Sequence, residues 1–263
     1  YDPVEINYED WIPDIPLLHI DTKTAYLDNN KLSTSCEVIG DLRPALERLA
    51  AMKKDKKHWD MEALAKRRKK MFEDFTFHAG TFGPCAVLEG LREILPEDGI
   101  MTCDVGAHLH LVGQEWKTYS PECQLMTNGG SSMGFGIPAA IAAKLSLPER
   151  TVSCITGDGG FLMMVGEMAT AMRLGTKVVF VLLSDKYLSL IRIKQERKHY
   201  KFYGTHLHGE NYVSSTNFFG IPVIKACNTE EYKASLKKAF SSEGPVIIEA
   251  FVDKKDYDDL ILK

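Results

Sequence analysis

The chain has 263 residues, 44% of them hydrophobic and 26% charged, with a formal net charge of −4 at neutral pH. This is the composition of an ordinary globular protein with a sizeable core, and the charge offers no electrostatic basis for binding nucleic acid or an anionic membrane. No apolar run reaches the roughly 20 residues of a membrane span, and no signal peptide is visible.

The chain opens at Tyr1 without an initiator methionine, in the phrase YDPVEI, which reads as a piece of a longer polypeptide. Residues 1–52 carry two strand-like runs, 17–21 and 36–40, and a helix over 43–52 with Asp41 as a plausible N-cap. Two strands and one helix are too few to close a core, so this part is expected to be the tail of a central α/β domain. Residues 53–78 are dense in Lys and Arg, with Trp59, Leu64 and Met71 interspersed. They read as an amphipathic linker helix with a solvated basic face; a nucleic-acid stripe is the remote alternative.

From residue 79 to 263 the pattern becomes regular. Helices are expected over 84–95, 108–116, 138–145, 161–174 and 230–240, with a broken helical segment over 187–198. Strands are expected over 100–104, 124–127, 152–156, 177–184, 221–226 and 246–251. The runs VVFVLL and VIIEAFV are continuously apolar and β-branched, as strands covered by helices on both faces must be. The expected fold is α/β: a doubly wound, mostly parallel sheet of about six strands. Six cysteines (Cys36, Cys85, Cys103, Cys123, Cys154 and Cys227) form no CxxC pair and read as reduced core residues of a cytoplasmic protein.

Three loops stand out. GDGG, residues 157–160, follows an apolar strand and precedes a helix, so Gly159 and Gly160 let the backbone approach an anion. A Gly-Asp-Gly alone is as readily a turn. Asp185, however, repeats the strand-to-loop position of Asp158 one βαβ unit later. Two carboxylates on the ligand-binding edge of a parallel sheet suit a hard divalent cation holding a diphosphate. GGSSMGFGIPAAIAA, residues 129–143, reads either as close backbone packing or as a wall against a flat heterocycle, with Met133 projecting apolar bulk into it. In DVGAHLH, residues 104–110, His108 or the local amides are placed to reach a phosphate, although a solitary loop histidine is as often incidental.

In this order, the three loops resemble the C-terminal, diphosphate-binding domain of thiamine-diphosphate-dependent enzymes of the acetolactate synthase type. In that family GDG is followed, after roughly 25 to 30 residues, by an Asn or Asp pair ending the next strand; here the pair is Ser184-Asp185. The resemblance covers nearly the whole chain and implies thiamine diphosphate and Mg²⁺ as cofactors. It places the metal on the side chains of Asp158 and Asp185 and the carbonyl of Tyr187, with two diphosphate oxygens and a water completing an octahedron. Gly157, Gly159, Gly160, Ala107 and His108 would face the diphosphate. Met133 would bend the cofactor, bringing its 4′-amino group close to the thiazolium C2. The Ser131 carbonyl and Met133 amide would bond the aminopyrimidine edge.

The implied enzyme is a carboligase or decarboxylase acting on a 2-oxo acid, as in pyruvate to 2-acetolactate, built as a homodimer or dimer of dimers with active sites between subunits. Its catalytic glutamate would come from an N-terminal domain, usually a neighbouring subunit's, so these residues contain no catalytic group and the chain alone is expected to be inactive. Two departures matter. Ser184-Asp185 stands where the family commonly has Asn-Asn, and Lys194 stands where biosynthetic acetolactate synthases typically carry a tryptophan, which argues against that enzyme and puts a charge near the expected pocket mouth. The alternatives are sulfoacetaldehyde acetyl transfer, non-oxidative 2-oxo acid decarboxylation, or a non-catalytic cofactor-binding module.

Overall fold

In a computed structural model the chain is described over residues 16–24, 34–52, 59–75, 80–127, 130–207 and 217–257. The opening phrase, residues 53–58 and 76–79 of the expected linker, and Gly129 of the glycine loop lie outside the described residues. The chain divides into two compact units, residues 1–64 and 65–263.

In the first unit β1 (Leu17–Asp21) pairs in parallel with β2 (Thr34–Ile39), and α1 (Leu42–Ala51) follows. Asp41 caps α1, its side chain accepting from Arg43 N at 3.0 Å. No residue of α1 is buried. The basic stretch forms α2 (Met61–Phe75), which starts later than the lysine-rich composition indicates. Its start is set by Asp60, whose carboxylate accepts from Ala63 N at 2.9 Å.

The second unit is built on a sheet in the order β4 (Gln124–Leu125), β3 (Ile100–Cys103), β5 (Val152–Gly157), β6 (Val178–Ser184), β9 (Val246–Phe251), β8 (Ile221–Ala226), β7 (Asn217–Phe218). Six strands are parallel; the two-residue β7 runs antiparallel to β8 and covers that edge. The central strand β6 shows why both faces need helices. Val179, Val181 and Leu183 enter one core with Leu91, Leu111 and Tyr232 from α3 (Pro84–Ile94), α4 (Ala107–Glu115) and α9 (Thr229–Phe240). Val178, Phe180 and Leu182 enter the other, with Ile137 and Ile141 of α5 (Gly136–Ser146), Phe161 of α6 (Asp158–Met163) and Met168 of α7 (Glu167–Arg173). Period-2 alternation therefore feeds two apolar cores, which is the doubly wound arrangement.

The single helix expected over 161–174 is two helices. Met164 N is shared between the carbonyls of Gly160 and Phe161, and the chain turns through Gly166 before α7 starts. GDGG is consequently part of the first turn of α6 rather than a free loop. The cysteines also divide. All six are free thiols, but only Cys85, Cys103, Cys123 and Cys154 are buried; Cys36 and Cys227 are exposed, contrary to the expectation of six core residues. Among the described residues no helix is long and apolar enough to cross a membrane.

Candidate cofactor site

The sheet order fixes where a ligand can sit. β3 connects onward to β4 on one side, whereas β5 connects to β6 on the other, so the adjacent pair β3 and β5 forms the switch point. At such a point the loops leaving neighbouring strands diverge and open a crevice beyond the carboxyl ends. A cavity of about 250 Å³ lies there. From the loop after β3 it takes Ala107 and His108; from the glycine loop, Ser131 and Met133; from the end of β5, Gly157, Asp158, Gly159 and Gly160; and from the loop after β6, Asp185 and Tyr187. Every residue singled out above as a cofactor or metal contact borders this one space. A larger, more open groove of about 850 Å³, walled by Lys69, Arg92 and Trp116 among others, contains none of them.

Lys194 does not border the cavity. It is exposed on α8 (Ser189–Arg197), where its charge, after burial, helps hold His110 below the ordinary histidine range. Leu190 and Ile191, in the first turn of the same helix, line the site, whereas Lys194 lies one turn further along that face and is not part of the lining.

The two acidic side chains meet electrostatically. Asp158 is buried, and its carboxylate accepts from Gly159 N at 2.9 Å and Lys186 N at 2.7 Å. Asp185 accepts from Tyr187 N at 2.9 Å and from the Ser189 hydroxyl. Burial, then the charge of Asp185, pushes Asp158 up to about 7; burial also raises Asp185, against the hydrogen bond from Ser189. The donors around each carboxylate are outweighed, so the pair is an acidic site in want of positive charge. Lys186 between them adopts φ 67°, a left-handed conformation that costs a non-glycine residue roughly 1–2 kcal/mol. The turn is held because it aims the Lys186 N–H at Asp158 while its side chain pairs with the buried Glu249 at 3.8 Å. Residues 205–207 brace the same turn from outside, through Leu188 N to Thr205 O at 2.8 Å and Leu207 N to Lys186 O at 2.9 Å. This pairing leaves the Tyr187 carbonyl outside the bracing bonds among the described residues.

Asp104, which the sequence offers only as the first residue of a loop, organises the other wall. It is fully buried at the end of β3, and one carboxylate oxygen accepts from Gly134 N at 2.8 Å, Phe135 N at 3.0 Å and Gly136 N at 3.4 Å. The other accepts from the Thr156 hydroxyl at 3.1 Å. This clamp ties the glycine loop to β3 and β5 and so positions Met133. Glycines are required where the backbone meets the clamp. A Cβ on Gly160 would collide with the Asp104 carboxylate, and one on Gly136 would lie 3.0 Å from both Asp104 Cβ and N. A signal existed: Asp104 ends a strand just as Asp158 and Asp185 do.

His108 sits 3% exposed between Gly106 and Gly157, its Nε2 buried without a hydrogen-bond partner among the described residues. Burial lowers it to about 4 despite the neighbouring Asp104 charge, so the imidazole is neutral at pH 7. His108 borders the cavity, and its unsatisfied ring nitrogen is the kind of buried polar group that a ligand can complete. A cofactor carrying a diphosphate and a divalent cation fits this set: hard oxygen ligands for the metal, an unpaired nitrogen for a phosphate, and glycines where the backbone must come close. Gly159 has the same character, since a Cβ there would meet Leu188 Cδ2 at 2.6 Å and Met133 Cε at 2.9 Å. Leu188, Ser189 and Tyr257 also line the site, and sequence reasoning did not single them out.

Comparison with known proteins agrees. The family described as "Thiamine pyrophosphate enzyme, C-terminal TPP binding domain" matches residues 104–250. Among curated relatives, acetolactate synthase of Bacillus subtilis is 25% identical over 97% of this chain and 46% of its own length. A probable acetolactate synthase large subunit of Methanocaldococcus jannaschii is 30% identical over 95% of this chain and 44% of its own. The acetolactate synthase large subunit of Haemophilus influenzae is 26% identical over 95% and 45%. The chain thus spans less than half the length of these relatives.

Proposed function

This chain belongs to the thiamine pyrophosphate enzymes through their C-terminal TPP-binding domain, and we propose that it holds thiamine diphosphate through Mg²⁺ bound between Asp158 and Asp185, in the service of a 2-oxo acid carboligase or decarboxylase of the acetolactate synthase type. The observation that carries this reading is the convergence of the carboxylate pair and His108, whose ring nitrogen lacks a partner among the described residues, on one cavity at the sheet's switch point.

Asp158 and Asp185 supply side-chain oxygens to the metal, and the Tyr187 carbonyl is the third protein ligand. His108 and the glycines of residues 157–160 take the diphosphate, with Ala107 beside them. Ser131 and Met133 position the heterocyclic part, Met133 as an apolar support whose neighbouring backbone at Gly134 and Phe135 is held by the Asp104 clamp. When bound, thiamine diphosphate supplies the electron sink for breaking the bond beside a 2-oxo acid's carbonyl. The residues of this chain contribute orientation, charge neutralisation and exclusion of water by Leu188 and Met133. Assembly as a homodimer or dimer of dimers, with pyruvate as donor, extends the same reading.

Titration calorimetry with thiamine diphosphate, with and without Mg²⁺, tests the proposal. Metal-dependent binding that Asp158→Ala abolishes is expected. Binding indifferent to both metal and Asp158, or no binding by the wild type, overturns it.

A further inference from the structure

The segment after β9 is pinned at three points in succession. Val252 N donates to Ser184 O at 3.2 Å, Asp253 N to Phe82 O at 2.9 Å, and the Asp256 carboxylate accepts from Cys85 N at 2.9 Å in the first turn of α3. Gly83 is required beneath this strap, because a Cβ there would collide with the Asp256 carboxylate. A tight turn, Tyr257 N to Lys254 O at 2.9 Å, then delivers Tyr257 inward.

Tyr257 is 3% exposed and borders two spaces at once: the cofactor cavity, with Asp158 and Asp185, and a small polar cavity of about 90 Å³ behind it, with Ser189, Arg192 and Lys254. Burial first, and then the charges of Asp185 and Asp158, keep the phenol protonated and hence a donor. None of the hydrogen bonds among the described residues engages its hydroxyl. The strap therefore anchors a phenolic donor on the acidic side of the cavity, where Asp158 and Asp185, once ionised, can only accept.

We propose that Tyr257 is a further cofactor-binding residue, its hydroxyl donating to a phosphate oxygen of the metal-bound diphosphate. The idea rests on the cofactor assignment above and adds to it a contact from an element outside the family's strand-end loops. A hydrogen bond to a charged acceptor accounts for a tenfold or greater change in affinity, while a hydroxyl that none of the hydrogen bonds among the described residues engages adds little to the empty fold.

The test compares the full chain with its Tyr257→Phe variant by calorimetry against Mg²⁺–thiamine diphosphate and Mg²⁺–inorganic diphosphate, and by thermal unfolding without ligand. The expected result is about tenfold or greater weakening toward both ligands, with an unliganded midpoint unchanged or raised. Equal affinities for variant and wild type overturn the proposal. So does weakening toward thiamine diphosphate alone, which would put the contact away from the phosphates, or a lowered unliganded midpoint, which would make the hydroxyl structural. A wild type that binds neither ligand refutes the underlying cofactor assignment instead.

Discussion

Replacing Gly160 by alanine should damage this protein although the position lies in a helix, where alanine is intrinsically favoured by about 1 kcal/mol. The added methyl would collide with an Asp104 carboxylate oxygen and lie 2.9 Å from Asp104 Cγ and 3.1 Å from the Thr156 hydroxyl. An aspartate tip can usually swing aside. This one is held by Gly134, Phe135 and Gly136 on one oxygen and by Thr156 on the other. Moving it surrenders at least two buried, charge-assisted hydrogen bonds at about 1.5–3 kcal/mol each. Set against the helix gain, the net loss is roughly 3 kcal/mol, which lowers the melting midpoint of a unit this size by about 6–12 °C. Thermal unfolding of the unliganded chain, followed by circular dichroism, measures it. Gly159→Ala is the control: its neighbours at 2.6 and 2.9 Å are the flexible ends of Leu188 and Met133. That variant should melt within about 3 °C of wild type yet bind cofactor weakly, because the methyl enters the cavity. A Gly160→Ala midpoint within about 2 °C of wild type, or a Gly159→Ala variant that is the less stable of the two, refutes the clamp argument.

Asp104→Asn leaves Asp158 and Asp185 untouched and can keep an amide oxygen on the three loop N–H groups, but it removes the charge that strengthens those bonds and makes Thr156 an acceptor, so it should cost about 1–3 kcal/mol of stability and loosen Met133; denaturant unfolding and cofactor titration read the two effects. Because burial and Asp185 push Asp158 up to about 7, the metal-free fold is most stable while that group is protonated and loses stability as pH rises from the ordinary carboxylate range through 7. Asp158→Asn should therefore raise the metal-free midpoint at pH 8 and change it little at pH 5, and Mg²⁺ should stabilise the wild type more at pH 8 than at pH 6, both followed by thermal shift. His108, held neutral by burial with its pKa lowered to about 4, contributes stability that is lost as pH falls below the ordinary histidine range. His108→Phe should reduce that acid sensitivity while weakening diphosphate binding about tenfold by calorimetry.

The sheet was legible because its strands are buried on both faces. Runs such as VVFVLL leave few other readings, and six parallel strands appear where the sequence places them. Helix continuity was harder: residues 161–174 keep an apolar helical pattern across Gly166, and only tertiary packing decides that the chain breaks there. β7 is two residues long, too short for any periodicity to register. At the site, the strand-end loops were legible because glycines and aspartates there have few structural excuses. Tyr257 was not, because a lone tyrosine in VDKKDYDD carries no pattern; it reaches the cavity only through the strap's bonds to Phe82 and Cys85, more than 160 residues earlier in the chain.

Asp104, Asp158 and Asp185 show how one residue type in one topological position takes different work. Each ends a parallel strand of the sheet, so nothing in the local sequence separates them. Their surroundings do. Asp104 receives three backbone donors from the glycine loop and the Thr156 hydroxyl from β5, so its charge is spent inside the fold. Asp158 and Asp185 receive donors too, but they border the same cavity and each is driven toward protonation by burial, Asp158 further by its partner's charge. The donors received at residues 158 and 185 do not by themselves call for two neighbouring charges, whose burial is a cost to the empty fold. Retaining two carboxylates at a cost to the empty protein makes sense under the proposal that a cation repays that cost on binding, and the third aspartate, already satisfied, ties together the walls of the cavity they border.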